Sequence, residues 1–284
     1  MTVEYDETGK IVLDHVYNQP DPIAYFSTLS KLDYSIPGEA APVFRKVIEA
    51  WRGGAETDEV NLLDLGCSYG INAAILKHDL SMGDLYTHYA GAKLAGLSED
   101  DLIEHDRQFY AKHLADPDLA VTGVDIAANA IDYAVQAQML DDGFTANLET
   151  GPLPATASEA VGDANLVIST GCVGYVRQAT FEKILEAGGD ERPWMAHFVL
   201  RMFPYEEFED LLAGHGYVTE TLPATFRQRR FASAEERDHV LSNLSDLGLD
   251  AAGKEADGWY HANFHLSRPA EAVEAMPLRE MIPH

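Results

Sequence analysis

Hydrophobic positions along the chain change their period several times, and each change marks an element. From Ile23 to Leu32 the residues Tyr25, Phe26, Leu29 and Leu32 recur at helical spacing and define one buried face. Pro37 and Gly38 break that pattern. A second helical stripe, Val43, Phe44, Val47, Ile48 and Trp51, runs to Gly53 and Gly54, which end it. After Glu59 the period shortens. Val60 to Leu65 is apolar except for Asn61 and Asp64, the pattern of a strand buried on both faces. A helix over Gly70 to Leu80 follows, with Ile71, Ala74 and Ile75 inward. The alternation continues with strands at Val121–Ile126, Phe144–Leu148, Ala164–Ser169 and Met195–Met202. The helices between and after them lie at Ala127–Leu140, around Phe181 to Leu185, and at Tyr205–Ala213. Two late strands, Tyr217–Phe226 and Trp259–Leu266, flank a polar, partly helical piece that begins near Ser233.

Strands alternating with helices predict an α/β fold, a mostly parallel sheet wound on both faces. Three regions are expected: an N-terminal arm or short hairpin with a helix over 1–39, the main domain over 40–269, and a tail over 270–284. One stretch breaks the rhythm. Ser81 to Ala120 is far longer than a crossover needs, and carries Leu85-Tyr86-Thr87-His88-Tyr89 and a helix predicted from Ser98 to Leu114. An insertion of this kind reads as a lid or substrate wall over 81–120, or as a peripheral decoration.

Composition narrows the partners. Asp plus Glu outnumber Lys plus Arg by 47 to 20, and a net charge of -27 repels phosphate backbones, so nucleic acid is not an expected partner. No apolar run approaches the length of a membrane span, and the first residues carry no export signal. The expectation is a cytoplasmic protein with no membrane partner, a homodimer being an open option. The two cysteines, Cys67 and Cys172, make neither a disulfide scaffold nor a zinc spacing, and no metal is expected. They end adjacent strands of the expected sheet, where their simplest role is packing.

The chemistry concentrates in Leu63-Asp64-Leu65-Gly66-Cys67-Ser68-Tyr69-Gly70, a buried strand running through a tight turn into a helix. Glycines there let the backbone approach a ligand, free N–H groups can hold a carboxylate, and Asp64 can accept from a cationic amine. A second strand, Val121-Thr122-Gly123-Val124, ends in Asp125, placed to accept hydroxyl hydrogens from a ribose.

Together these segments resemble the class I, Rossmann-like S-adenosylmethionine-dependent methyltransferases. The resemblance covers about residues 40 to 267, the insertion excepted. It implies a seven-stranded sheet whose last strand is antiparallel and lies between the fifth and sixth. It also implies S-adenosyl-L-methionine as cofactor, held by Asp64, Gly66, Cys67, Ser68 and Gly70 at its methionine end, by Asp125 at the ribose and by Ile126 at the adenine. Glu149 or Asn147 corresponds to the family's third motif, and Ser169 and Thr170 stand where the fourth usually has Asp or Asn. A dehydrogenase would need a Gly-x-Gly-x-x-Gly turn, and Gly66-Cys67-Ser68-Tyr69-Gly70-Ile71 has only the first of its glycines and a late one.

Such a cofactor is an activated methyl donor, so the remaining task is to align an acceptor and exclude water. Tyr175, in the Gly171–Tyr175 loop after the fourth strand, is a candidate catalytic residue. His88 in the insertion and His261 before the last strand are candidate bases. Tyr86 and Tyr89 are candidate substrate contacts. Arg201 and Arg229, the latter in Arg227-Gln228-Arg229-Arg230, are candidate clamps for an anionic substrate. His197 reads as a core histidine, and His105 and His113 as a poor ligand pair on one helix. The expected activity is methyl transfer to a small, anionic metabolite. Methylation of a protein or peptide by the same fold, and a cofactor-binding protein without activity, are the alternatives.

Overall fold

The computed structural model describes residues 6, 9–11, 14–91, 94–189 and 191–283. Part of the arm expected over 1–19 therefore lies outside the described residues. The first helices are α1 (Asp14–Tyr17), α2 (Ile23–Leu29) and α3 (Ile36–Gly54), followed by strand β1 (Val60–Leu65) and helix α4 (Ile71–Lys77). The insertion holds α5 (Met82–Tyr89) and α6 (Glu99–His113). Next come β2 (Leu119–Asp125), α7 (Ala128–Gln136), β3 (Asp142–Thr145), α8 (Ser158–Gly162), β4 (Leu166–Thr170) and α9 (Gln178–Gly188). The chain ends with β5 (Trp194–Leu200), α10 (Glu206–Gly214), β6 (Tyr217–Arg230), α11 (Ala234–Asp246), β7 (Trp259–Pro269), α12 (Ala270–Ala275) and α13 (Leu278–Met281).

The seven strands form one sheet in the order β3-β2-β1-β4-β5-β7-β6. β1 pairs in parallel with β2 and with β4, while β7 is antiparallel to both β5 and β6. A sheet covered on both faces needs strands apolar on both sides. In β1, Val60 and Leu62 join the core under α3, α4 and α7, whereas Leu63 and Leu65 join the core under α8, α9 and α10.

Several boundaries differ from the sequence reading for local reasons. Pro37 and Gly38 sit inside the first turn of α3, where the missing proline N–H is one of the donors that a helix start leaves without an intrahelical partner. β3 begins earlier than expected and ends at Thr145, paired with Asp125. The chain then turns, because the Asn147 side-chain oxygen accepts from the N–H groups of Glu149 and Thr150 at 3.1 and 3.3 Å. β6 extends through Arg230, which places Arg227, Arg229 and Arg230 on a strand and not after one. The tail docks: Leu278 and Met281 are buried, and the Leu278 N–H donates to Glu220 at 2.9 Å.

The insertion is fastened to the body by its own polar centre. Ser81 and Asp84 form a capping box on α5, and Ser98 caps α6. The buried Asp106 accepts from the hydroxyls of Tyr89 and Tyr133, each at 2.6 Å, and lies 2.7 Å from His88 Nε2. Burial alone would raise its pKa, but the bonds from His88, Tyr133 and Tyr89 hold it below the usual carboxylate value. Phe26 of α2 stacks on Tyr89 with ring centres 4.3 Å apart. The N-terminal segment is tied down separately. Its Gln19 exchanges two hydrogen bonds with the Tyr69 hydroxyl, and Asn18 receives two from Asn129 of α7.

Candidate functional site

A cavity of about 470 Å³ opens at the carboxyl ends of β1, β2 and β4, the edge at which open parallel sheets bind ligands. The turn after β1 forms its floor. Gly66, Ser68 and Gly70 have φ of +67°, +49° and +74°. Gly66 is required twice over: its φ is left-handed, and a Cβ there would stand 2.6 Å from Cys172 Cβ. This places the loop after β4 directly against the turn after β1.

The turn meets the second strand through Asp125. The Ser68 N–H donates to one Asp125 oxygen at 2.8 Å and the Ala127 N–H to the other at 3.0 Å. Burial raises the Asp125 pKa, against the pull of the N–H groups of Ser68, Ala127 and Ile126. Ile126 beside it is 70% exposed, an aliphatic surface at the cavity edge with no protein covering it. The Ser68 hydroxyl is buried and has no hydrogen-bond partner among the described residues.

Asp64 lies behind the wall. It is fully buried, and its pKa is pushed up to about 7 by burial, partly offset by the Asn72 amide and reinforced by Asp125. Asn72 lines the cavity and bridges inward, donating to both Asp64 oxygens at 3.0 and 3.2 Å and to Thr170 Oγ1 at 3.2 Å. This arrangement makes a pH prediction. A carboxyl whose folded pKa exceeds its unfolded value costs stability progressively as pH rises from about 4 to about 7. The same ionisation adds negative charge beside the cavity. The affinity for S-adenosylhomocysteine, which carries a cationic amine, is expected to rise between pH 6 and pH 8, and Asp64→Asn is expected to flatten that rise. Calorimetric titrations across this range check it.

The expected site residues divide clearly. Gly66, Cys67, Ser68, Asp125, Ile126, Glu149, Tyr175 and Arg229 line the cavity together. Gly70 and Asp64 support the wall from behind. Ser169 is also behind it, bonded to His197 Nδ1 at 2.8 Å, and Thr170 faces the cavity in its place. One Glu149 oxygen accepts from the N–H groups of Arg177 and Thr180 and from the Thr180 hydroxyl, at the start of α9.

The remaining candidates are held elsewhere. His88, Tyr86 and Tyr89 belong to the insertion, and no described residue of 81–120 contributes to the cavity wall. His88 is stacked on Phe109 at 3.9 Å and paired with Asp106. Tyr86 donates to the Tyr34 carbonyl at 2.6 Å. His261 lies outside the wall against Thr225 Oγ1 at 3.0 Å, and burial, with Arg201 second, pushes its pKa down to about 4. Arg201 is buried against Glu255 and the Asp250 carbonyl, away from the cavity. Arg229 reaches the wall, but its guanidinium is forked onto Glu236 at 2.9 and 2.7 Å. His88, His105 and Asp106 also bring one ligand atom each within 4.8 Å of one another. Asp106 there also accepts from Tyr89, Tyr133 and His88.

The opposite wall comes from residues that the sequence motifs did not single out. Asp6, Lys10, Ile11, Tyr17 and Tyr25 of the N-terminal segment line the cavity, together with Tyr34 and Gln228. The Tyr175 hydroxyl donates to Asp6 at 2.6 Å, joining the loop after β4 to this segment. Gln228 presses its amide against Gly171, and its buried side-chain oxygen has no hydrogen-bond partner among the described residues.

No family model and no curated protein matches the chain. Among solved structures, a TehB-like SAM-dependent methyltransferase from Corynebacterium glutamicum aligns at 15% identity, covering 77% of this chain and 86% of its own, with a TM-score of 0.36. A SAM-dependent methyltransferase from Aquifex aeolicus aligns at 11% identity, covering 88% and 98%, with a TM-score of 0.39. Magnesium protoporphyrin IX methyltransferase from Synechocystis, solved with bound SAM, aligns at 11% identity, covering 81% and 80%, with a TM-score of 0.38. These likenesses are too distant to carry a residue role. The chain's own topology is decisive for the fold: the strand order, the antiparallel β7 between β5 and β6 and the glycine turn facing Asp125 are those of the class I, Rossmann-like methyltransferase fold.

Proposed function

We propose that the protein is an S-adenosylmethionine-dependent methyltransferase acting in the cytoplasm on a small metabolite enclosed beneath its N-terminal segment. The observation that carries this reading is the bond from the Ser68 N–H to Asp125, which joins the glycine turn and the β2 acid in the wall of one cavity. The residues fit the cofactor in several independent ways. Asp125 keeps lone pairs for two ribose hydroxyls. Ile126 offers an uncovered aliphatic face to adenine. The partnerless Ser68 hydroxyl and the buried Asp64, reached through Asn72, suit the polar and cationic methionine end. Asn147 and Glu149 stand at the far rim, where the adenine edge would lie.

When bound, the cofactor supplies a methyl group on a positively charged sulfur. The protein's part is to orient the acceptor and to keep water out. Thr170, Gly171 and Cys172 at the end of β4 form one side of the space next to the methionine end, and Tyr175 lines it further out. The tyrosines of the N-terminal side face them across the cavity. Among the described residues no helix is long and apolar enough to cross a membrane.

The enclosure favours a small acceptor over a protein or peptide, because the Tyr175–Asp6 bond spans the place where an open groove would run. Incubation with S-[methyl-³H]adenosylmethionine and a fractionated cell extract tests this. Label is expected in the low-molecular-weight fraction. Label confined to protein would favour the peptide reading, and none in either fraction would favour a binding protein without activity.

A further inference from the structure

We propose that the substrate is a small aromatic carboxylic acid whose carboxylate pairs with Lys10. This rests on the methyltransferase reading and assigns the substrate side of the same cavity. The sequence reading drew an anionic substrate from Arg201 and Arg229, and the fold commits both guanidinium groups to protein carboxylates. Lys10 is different. It lines the cavity, with its ammonium 5.0 Å from the Tyr175 ring centre and 5.7 Å from that of Tyr260.

The two carboxylates that act on Lys10 are committed to other donors. Asp6 accepts from the Tyr175 hydroxyl at 2.6 Å and from the Lys10 backbone N–H at 3.0 Å. Glu236 accepts both arms of Arg229 and the N–H groups of Ile11 and Ala232. Among the described residues neither forms an ion pair with the Lys10 ammonium. Burial, with Arg229 second, lowers the Lys10 pKa to about 8, so the group remains mostly charged at neutral pH although it is poorly compensated. A partly buried ammonium lacking a direct counter-ion gains from a ligand that brings one. The walls beside it are aromatic. Tyr17, Tyr25 and Tyr34 line the cavity as an edge-to-face set, with Tyr25 centred 5.6 Å from Tyr17 and 6.3 Å from Tyr34. Rings so arranged present faces and edges to a flat guest. Aromatic walls with a cation that has no ion pair among the described residues describe an aromatic acid better than a sugar or an aliphatic amine.

Thermal melting of the full chain loaded with S-adenosylhomocysteine tests the assignment, with benzoate as probe, benzamide as its uncharged twin and inorganic phosphate as the alternative anion. Benzoate is expected to raise the melting temperature by roughly 2–4 °C when it approaches saturation. The rise is expected to persist in Lys10→Arg and to vanish in Lys10→Met, while benzamide and phosphate leave the wild type unmoved. Equal effects of benzoate and benzamide, an effect of phosphate alone, no effect of benzoate, or an undiminished benzoate effect in Lys10→Met would each overturn it. If Lys10→Met does not fold, the comparison of benzoate with benzamide on the wild type still decides. Stabilisation by S-adenosylhomocysteine alone is read in the same melts. Its presence without a benzoate effect removes only the Lys10 assignment, and its absence removes the methyltransferase reading itself.

Discussion

Asp125→Ala is expected to weaken S-adenosylhomocysteine binding by about two orders of magnitude. The carboxylate would accept two hydroxyl hydrogens from the ribose, and hydrogen bonds to a charged partner contribute about 1.5–3 kcal/mol each. Losing even the lower value twice is about 3 kcal/mol, roughly a hundredfold in affinity. The same substitution leaves the N–H groups of Ser68 and Ala127 without their acceptor, so stability is expected to fall by about 1–3 kcal/mol as well. Asp125→Asn separates the two effects. It keeps an oxygen for one backbone donor, sets an amide against the other and removes the charge, so only part of the stability is expected to return while binding stays impaired. Binding by calorimetry and stability by urea unfolding, measured on both variants, check this. Unchanged affinity in Asp125→Ala would remove Asp125 from the ribose site.

The largest expected effect on the fold belongs to Gly66. Gly66→Ala forces a side chain into a left-handed conformation, at about 1–2 kcal/mol. It also drives the new Cβ to 2.6 Å from Cys172 Cβ, which neither backbone can yield without moving β1 against β4. Overpacking of this kind costs about 1–3 kcal/mol, for a total of about 2–5 kcal/mol. Because the opposing atom is itself a Cβ, Cys172→Ala is not expected to relieve the clash, whereas Cys172→Gly is. The double variant Gly66→Ala, Cys172→Gly is therefore expected to be more stable than the sum of its single changes implies, retaining mainly the conformational cost. Urea unfolding of the four proteins measures the coupling, and strict additivity would mean that the two loops do not touch.

The half of the cavity that holds Gly66 and Asp125 was legible in the sequence because its determinants are local. A glycine that ends a buried strand and an acid that ends the next are set by strand geometry and by the adjacency of β1 and β2 in a parallel sheet. The mostly parallel sheet wound on both faces followed from the same alternation, and the antiparallel last strand from the family resemblance. The other half was not legible. Lys10, Tyr17, Tyr25 and Tyr34 come from segments that reach the site only through tertiary contacts such as Gln19 with Tyr69 and Asn18 with Asn129. Nothing in their spacing marks them. Tyr25 in particular belongs to the helical stripe that reads equally well as plain core. Asn72 was hidden for another reason. It lies in the first turn of α4, where a polar residue on a buried helix carries no signal until Asp64 and Thr170 are seen on either side of it.

Length misled where it stood in for position. The insertion over 81–120 is long enough to be a lid, and its aromatic and histidine content invited that reading. Its polar groups instead bind it to the body, with Tyr89 and His88 of the insertion and Tyr133 of α7 converging on Asp106, and Tyr89 stacking on Phe26 of α2. Residues of the N-terminal arm and helix line the cavity instead. Arginine count misled similarly. Arg201 and Arg229 are the conspicuous cations of an acidic chain, yet each is matched by a buried glutamate, and among the described residues the lysine on the arm is the cation that lines the cavity without an ion pair.

The central claim is that the turn after β1 and the acid ending β2 form one nucleoside-binding wall, and equilibrium binding tests it most directly. Isothermal titration of the wild-type chain with S-adenosylmethionine is expected to show a single site per chain with a dissociation constant in the micromolar range, competed by S-adenosylhomocysteine. A flat titration at millimolar ligand, on protein that unfolds cooperatively, would contradict the account.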